Sequence, residues 1–466
     1  MKIRIIPAEY DYLNDVQDIP RAFAPFIEVD QNAESYLKWS CRYDGKAFIC
    51  SIESDVWGNA EKSFLISDCD ISYYKKHTKR FLKNFLYEFL SQKLDKKLPY
   101  GSLTGVRPTK LYYELLNESA PREYMINEFG VTEDRAKLIA DCVKNQEGII
   151  NKSDNAVAIF VNIPFCPTRC SYCSFISTEI GRVKKEIPRY VDCVIAELEQ
   201  IKEAVKKSGR IVCSVYIGGG TPASLGAEYL GKILAIIKDY GVEFTVEAGR
   251  PDVIDDELVD VMTANNVTRV SVNPQTFKSK TLDLIGRKHT VQDIYTAYGK
   301  VEGKFSVNMD LIAGLPEEKF RDFSDSLERT IELRPDNVTV HTLSLKRGSL
   351  MTTSGTVKEA DGLIKEMSDY SIERLIAGGY APYYMYRQKN MYDNLENVGY
   401  SLPYKQCKYN IDMMEESITV IGAGAGAMSK RIHGNRIDRL SNPKGFREYV
   451  ERIDGILAQK AEFFNF

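Results

Sequence analysis

Phe160-Val-Asn-Ile-Pro-Phe-Cys166-Pro-Thr-Arg-Cys170-Ser-Tyr-Cys173 is the stretch on which the reading of this chain turns. It places three thiols at C-x3-C-x2-C spacing immediately after an apolar run that reads as a strand. Loops at the C-terminal ends of parallel strands are where α/β folds keep their active sites. Soft thiolates at this density point to zinc or to an iron–sulfur cluster. A structural zinc site takes four ligands, and no other Cys or His stands within ten residues to supply the fourth. Cys193 lies further on, between Val191 and Val194, and reads as helix core. Three thiolates on a four-iron cluster leave one iron open, and an open iron is useful for chemistry.

Outward from this loop the chain alternates short apolar runs with helical periodicity. Strands are expected near 156–163, 211–217, 242–247, 267–272, 306–312 and 337–343, and helices near 187–207, 227–239, 255–265, 278–300, 317–333 and 358–377. That alternation implies βαβ units and a parallel sheet. Six units are too few for a closed eight-fold barrel, so the fold class is α/β with a partial (β/α)6 barrel. An N-terminal α+β domain (1–150) precedes the barrel core (151–345), and a C-terminal extension (346–466) follows it. The N-terminal part shows strands at 2–6, 47–52 and 63–66, a turn at Asp44-Gly45, and a helix with Phe81, Leu82, Phe85, Leu86, Phe89 and Leu90 on one face. A glycine-punctuated loop, Tyr100 to Lys110, runs into a helix started by Pro108. In the tail, Ile421-Gly-Ala-Gly-Ala-Gly-Ala-Met428 lacks the Lys-Ser/Thr of a phosphate loop and reads as close backbone packing, with a last helix near 443–459.

Composition narrows the function classes. The 466 residues carry 62 Lys+Arg against 65 Asp+Glu, a formal net charge of −3, which gives no global drive toward nucleic acid. No apolar run reaches the roughly 18 residues of a membrane span, and the N-terminus has no secretory h-region. A cytoplasmic protein is expected, with its ten cysteines as reduced thiols or metal ligands. Charge is locally segregated: 11–34 is acidic and 75–110 basic, as on the solvated face of an amphipathic helix.

The motifs together resemble the radical S-adenosylmethionine (SAM) enzymes, whose signature is this cysteine loop with an aromatic residue, here Tyr172, before the third cysteine. Gly218-Gly-Gly-Thr-Pro222 matches that family's glycine motif. Val246-Glu-Ala-Gly-Arg-Pro251, Val270 to Phe277, Ile285-Gly-Arg-Lys-His289 and Asn308 to Pro316 follow in the order of its coproporphyrinogen III dehydrogenase branch, HemZ-type group. The resemblance implies a [4Fe-4S] cluster on Cys166, Cys170 and Cys173. It implies SAM held by Gly219, Gly220 and Thr221 at the methionine end and by Arg287 at the carboxylate. Glu247, Gln275 and Asp310 would hold the ribose and polar edges, with the backbone near Tyr172, Ser344 and Met428 beside the adenosine.

The implied reaction is oxygen-independent oxidative decarboxylation of coproporphyrinogen III to protoporphyrinogen IX in haem biosynthesis. It needs a one-electron donor such as flavodoxin or ferredoxin. Arg169, Arg250, Lys346 and Arg347 are the cations near strand ends that could meet substrate carboxylates. Two positions next to the chemistry depart from the branch, whose strand reads Tyr-x-His: this chain has Phe160 and Asn162, and Phe175 where a fourth cysteine is usual. Related haem chaperones and other radical SAM reactions on tetrapyrroles are the alternatives. A haem would look to His341 or Cys407 for an axial ligand, because the chaperones' His-Asn-x-x-Tyr-Trp pattern is here Cys407-Lys-Tyr-Asn410.

Overall fold

A computed structural model describes the chain apart from residues 7–10, 25, 45, 66–70, 118–119, 176, 345–361, 389–390, 435 and 465–466. Gly45, Cys69, Lys346, Arg347 and the start of the helix expected at 358 therefore lie outside the described residues. The chain divides into two compact units, residues 1–140 with 387–396, and residues 141–386 with 397–466.

In the first unit, β1 (Lys2–Ile6), β2 (Glu28–Val29), β3 (Tyr36–Tyr43), β4 (Phe48–Ser54) and β5 (Ala60–Phe64) form one sheet in the order β2-β1-β3-β4-β5. Of the turn expected at 44–45, Asp44 is described, between β3 and β4. Asp44 Oδ1 accepts from the N–H groups of Lys46 and Ala47 at 2.9 and 2.8 Å, the local bonding that makes Asp a turn former. The amphipathic helix spans Ile71–Leu94, and Leu82, Phe85, Leu86 and Leu90 share one core with Ile3, Trp39 and Ile52. The loop at 100–110 needs its first glycine: Gly101 has φ +52°, and a Cβ there would stand 1.9 Å from Phe129 O. That loop encloses Arg387, whose guanidinium lies 4.2 Å from the Tyr100 ring centroid and donates to Leu103 O.

The second unit is built on an eleven-stranded sheet. Its parallel strands are β6 (Ala156–Ile163), β9 (Ile211–Gly219), β10 (Glu243–Gly249), β11 (Arg269–Val272), β12 (Ser306–Ala313) and β13 (Asn337–Thr342). These are the six expected strands, each within two residues. Between β6 and β9, β7 (Phe165–Cys166) and β8 (Thr178–Glu179) form a two-residue ladder that brackets the cysteine loop. Helices cover the sheet for the predicted reason, one apolar face per helix. The helix Ile187–Ser208 buries Tyr190, Val191, Val194, Leu198 and Ile201, and stops at Gly209 in the left-handed conformation. Among the described residues no helix is long and apolar enough to cross a membrane.

Two expectations need correction. The single helix read at 278–300 is two, Ser279–Leu284 and Val291–Val301. Gly286 (φ +76°) turns the chain out of the first, and a Thr290–Asp293 capping box starts the second. The C-terminal tail is also more strand than the sequence suggests. β14 (Ala381–Tyr386) and β15 (Asn397–Ser401) add antiparallel strands beyond β13. At the other edge β16 (Thr419–Ala423) pairs parallel with β6 and is followed by an antiparallel hairpin, β17 (Met428–His433) and β18 (Arg436–Ser441). The closing helix is likewise two short ones, Phe446–Glu451 and Ile453–Phe464.

Candidate active site

The site residues gather where the parallel strands end. β6 delivers the cysteine loop, β9 ends in Gly219, β10 carries Glu247, β11 leads to Gln275, and β12 and β13 carry Asp310 and His341. The loop after β9 is laced to the cysteine loop by backbone bonds: Gly220 N–H donates to Ile163 O at 2.8 Å and Thr221 N–H to Phe165 O at 2.7 Å. The Thr221 hydroxyl lies 3.6 Å from Cys166 Sγ. A side chain at 220 would put Cβ 2.5 Å from Phe165 O and 3.0 Å from Cys166 Sγ, so glycine is required for this approach. On its other side the loop is held by 285–287, with Ser171 N–H donating to Ile285 O (3.0 Å) and Thr168 Oγ1 to Gly286 O (2.9 Å). This contact is what breaks the expected long helix.

Cys166, Cys170 and Cys173 are partly exposed, and burial raises the Cys166 and Cys173 thiols above their ordinary range. Among the described residues no three His, Cys, Asp or Glu side chains converge as for one metal ion.

Glu247 is the electrostatic centre of the strand-end shelf. Its Oε1 accepts from Tyr216 OH at 2.5 Å and its Oε2 from Gly219 N–H at 3.3 Å. Burial pushes its carboxyl up to about 7, a rise that the Tyr216 bond opposes and Asp310 reinforces. Asp310 accepts from Asn308 Nδ2 at 2.7 Å and stands 3.6 Å from His341 Nε2. Burial works to raise the Asp310 carboxyl, but His341 and Asn308 outweigh it and leave it low. Two neighbouring carboxyls are thus held in different protonation ranges. Gln275 sits in the left-handed region (φ +67°), locked to β12 by its N–H to Asp310 O at 2.9 Å.

A pH test follows from Glu247. Between its ordinary value of 4.5 and about 7 the folded chain keeps a proton that the unfolded chain releases. Stability therefore declines as pH rises through that window and levels above it. The unfolding free energy of wild type relative to Glu247→Gln is expected to fall by about 1–3 kcal/mol between about pH 5 and about pH 8. Denaturant titrations of both proteins across that range measure it.

The structure gives the remaining sequence-derived residues the following surroundings. Arg250 is buried and grips Asp252 through two bonds of 2.8 Å, while donating to Thr168 at 2.9 Å, so it braces the cysteine loop and is not open to a substrate carboxylate. Arg287 donates to Asn273 O at 2.5 Å and bonds the Tyr172 phenol. Asn162 faces the glycine tract: its Nδ2 donates to Ala425 O at 2.5 Å, and a Cβ on Gly219 would meet its Oδ1 at 2.3 Å. It is a packing hub between Gly219 and 424–426. Met428 lies on β17, two strands beyond β6 and away from β10–β13, and is 45% exposed. Ser344 follows the end of β13. Cys407 is buried with its thiol donating to Glu243 Oε1 at 3.4 Å, which takes it out of consideration as a haem ligand.

The sequence reading missed an aromatic wall. Tyr409 stacks on Tyr216 (centroids 4.3 Å, 20°), and Phe160 lies 6.2 Å from Tyr409. Tyr384 and Tyr386 stand nearly parallel at 6.5 Å, and Tyr386 OH lies 3.4 Å from His341 Nδ1. The Tyr384 ring lies over Gly399, where a Cβ would come within 1.8 Å of it. Phe160 pairs with Tyr216 in the β6–β9 register. The phenol absent at 160 thus stands one strand away, on Glu247. The available signal was the tyrosine density of 383–386.

The radical SAM superfamily model matches residues 161–330. Over 383 residues the chain is 36% identical to the oxygen-independent coproporphyrinogen-III oxidase-like protein HemZ of Bacillus subtilis (strain 168), covering 78% of this chain and 76% of that protein. The chain belongs to the HemZ-like family of radical SAM proteins. As a family member it is also 27% identical to the heme chaperone HemW of Escherichia coli (strain K12), over 63% of this chain and 77% of that one. Its fold is shared with the Escherichia coli coproporphyrinogen III oxidase HemN, with a TM-score of 0.53 at 21% identity over 68% and 73% of the two chains. Relatives of this HemZ-like chain therefore bear both oxidase and chaperone names.

Membership implies a [4Fe-4S] cluster and SAM, and the residues present fit them. Asn273 Oδ1, Gln275 Oε1 and Arg287 Nε are buried at the strand ends without a hydrogen-bond partner. Such atoms cost about 1–3 kcal/mol each unless a ligand satisfies them.

Proposed function

We propose that the chain catalyses oxygen-independent oxidative decarboxylation of coproporphyrinogen III to protoporphyrinogen IX. The observation that carries this reading is the wall of Tyr216, Tyr384, Tyr386 and Tyr409 beside the Glu247–Asp310 pair, at the strand ends that also bear the three thiols. Aromatic faces suit a broad, largely apolar macrocycle. His341 and Tyr386 offer polar atoms for a propionate at its edge.

In this reading Cys166, Cys170 and Cys173 hold the cluster, and Gly219, Gly220, Thr221, Glu247, Gln275, Arg287 and Asp310 hold SAM. When bound, the two supply a 5′-deoxyadenosyl radical. The chain's own contribution is positioning and exclusion of water. The Gly219–Gly220 backbone permits close approach, Glu247 and Asp310 accept hydrogen bonds, and the tyrosines wall the reacting propionate. Each reacting propionate would give up a β-hydrogen atom, then release CO2 and one electron to a one-electron acceptor, leaving a vinyl group. Reducing equivalents come from a one-electron donor such as flavodoxin or ferredoxin.

Arg287→Ala is expected to weaken SAM binding by about 1.5–3 kcal/mol, the range for a hydrogen bond to a charged group. Equilibrium dialysis of anaerobically reconstituted protein measures it, and wild-type affinity in the variant would remove Arg287 from the SAM site.

The reaction itself is tested by incubating reconstituted protein anaerobically with SAM, reductant and coproporphyrinogen III, alongside a haem titration. Vinyl-bearing product with weak haem affinity supports the oxidase. No product together with tight, stoichiometric haem that passes to an acceptor protein assigns the chain to the chaperone activity for which its HemW relatives are named.

A further inference from the structure

Cys41 and Cys50 belong to the first unit and the cysteine loop to the second, and nothing above uses them. They are direct register partners across the antiparallel β3–β4 pair, third from the turn after Tyr43↔Phe48 and Arg42↔Ile49. Directly opposed residues have Cα atoms about 4.5–5.5 Å apart, inside the roughly 4.4–6.8 Å that a disulfide spans. Their sulfurs are 2.7 Å apart, with the Cys50 S–H donating to Cys41 Sγ. The ladder from Leu37↔Ser54 to Tyr43↔Phe48 holds them there, so no strand need shift to join them.

We propose that Cys41 and Cys50 are a reversible dithiol–disulfide site, oxidised by low-molecular-weight disulfides. The pair is asymmetric in a way that assigns the order of steps. Cys50 is fully buried, whereas Cys41 retains 7% exposure. Cys41 is thus the attacking sulfur and Cys50 the resolving one. The Cys41 thiolate attacks one sulfur of R–S–S–R, forming a mixed disulfide and releasing R–S⁻, which takes a proton. Cys50 then loses its proton and attacks Cys41 Sγ, expelling the second R–S⁻. Two protein thiols are oxidised to one disulfide, and one small disulfide is reduced to two thiols. Two other thiols are differently engaged: half-buried Cys213 donates to Val157 O at 3.3 Å and buried Cys407 to Glu243.

The test uses the full-length protein under anaerobic conditions, with oxidised glutathione as the probe. Remaining thiols are trapped by alkylation and mapped by peptide mass, so that Cys166, Cys170 and Cys173 are read separately. Alkylation of Cys41 and Cys50 is expected to fall together by about tenfold or more, with a Cys41–Cys50 linked peptide reversed by dithiothreitol. Cys50→Ser should arrest the reaction with glutathione on Cys41, and Cys41→Ser should leave Cys50 free of glutathione. Wild-type protein whose two thiols alkylate equally in oxidised and reduced buffers overturns the site. Glutathione on Cys50 in Cys41→Ser overturns the assigned order.

Discussion

Alanine at Cys166, Cys170 or Cys173 is expected to take bound iron from about four per chain to near zero and to abolish reductive release of 5′-deoxyadenosine. The expectation rests on the absence of a substitute ligand. The next residue with a soft donor along the chain, Cys193, is buried on the inner face of the helix Ile187–Ser208. Residues 166–173 are anchored on both sides, to 220–221 and to 285–286, so the loop cannot shift to recruit a distant thiol cheaply. Cys213→Ala is the matched control, since that thiol is spent on Val157 O, and it should keep full iron content. Iron and sulfide analysis of anaerobically purified proteins reads the result. Stoichiometric zinc in wild type, or a retained cluster in any one of the three variants, would sink the assignment.

The second large effect is structural. Glu197 and Lys460, each with a fully buried side chain, form an ion pair behind the glycine tract. Glu197 Oε2 also accepts from Gly424 N–H and Tyr449 OH, both at 2.7 Å, and Oε1 accepts from Asn442 Nδ2 at 2.9 Å. Lys460 donates in addition to Gly422 O. Removing one partner of such a pair strands the other charge without water, which costs about 3–5 kcal/mol. Lys460→Ala is therefore expected to destabilise by that amount in urea titrations. Tyr449→Phe, which removes one donor to the same carboxylate and no charge, should cost less, about 1.5–3 kcal/mol. Equal effects of the two substitutions would show that the charge at Lys460 is not what compensates Glu197.

That network also fixes the surroundings of Asn162 in the cysteine motif. Glu197 and Lys460 hold the backbone at 422 and 424, and Gly424 in turn lies so close to Asn162 O that a Cβ would come within 2.3 Å of it. The tract packs as anticipated from its glycines, but what it packs against combines Asn162 and Glu197, more than 200 positions away, with Asn442 and Lys460 from the C-terminal end.

The amino-acid sequence by itself determined the features that repeat locally or depend on covalent spacing. Six parallel strands are legible because each is a short apolar run followed by a helix with one apolar face, and burial of that face needs no knowledge of the partner. The three thiols are legible because C-x3-C-x2-C confines them to one loop whatever the rest of the chain does. Only the tertiary structure decided the features that depend on distant neighbours. β15 and β16 are five-residue strands buried along their length, so they carry no alternation to mark them. The tyrosine wall forms in part because β14 adds to β15, and β15 to β13. Arg250 looked open to a substrate because it follows a strand end, yet Asp252 and Thr168 capture it. The raised Glu247 carboxyl exists because strands from four parts of the chain exclude water around it. Desolvation is a property of the assembled neighbourhood and is not written in any one segment.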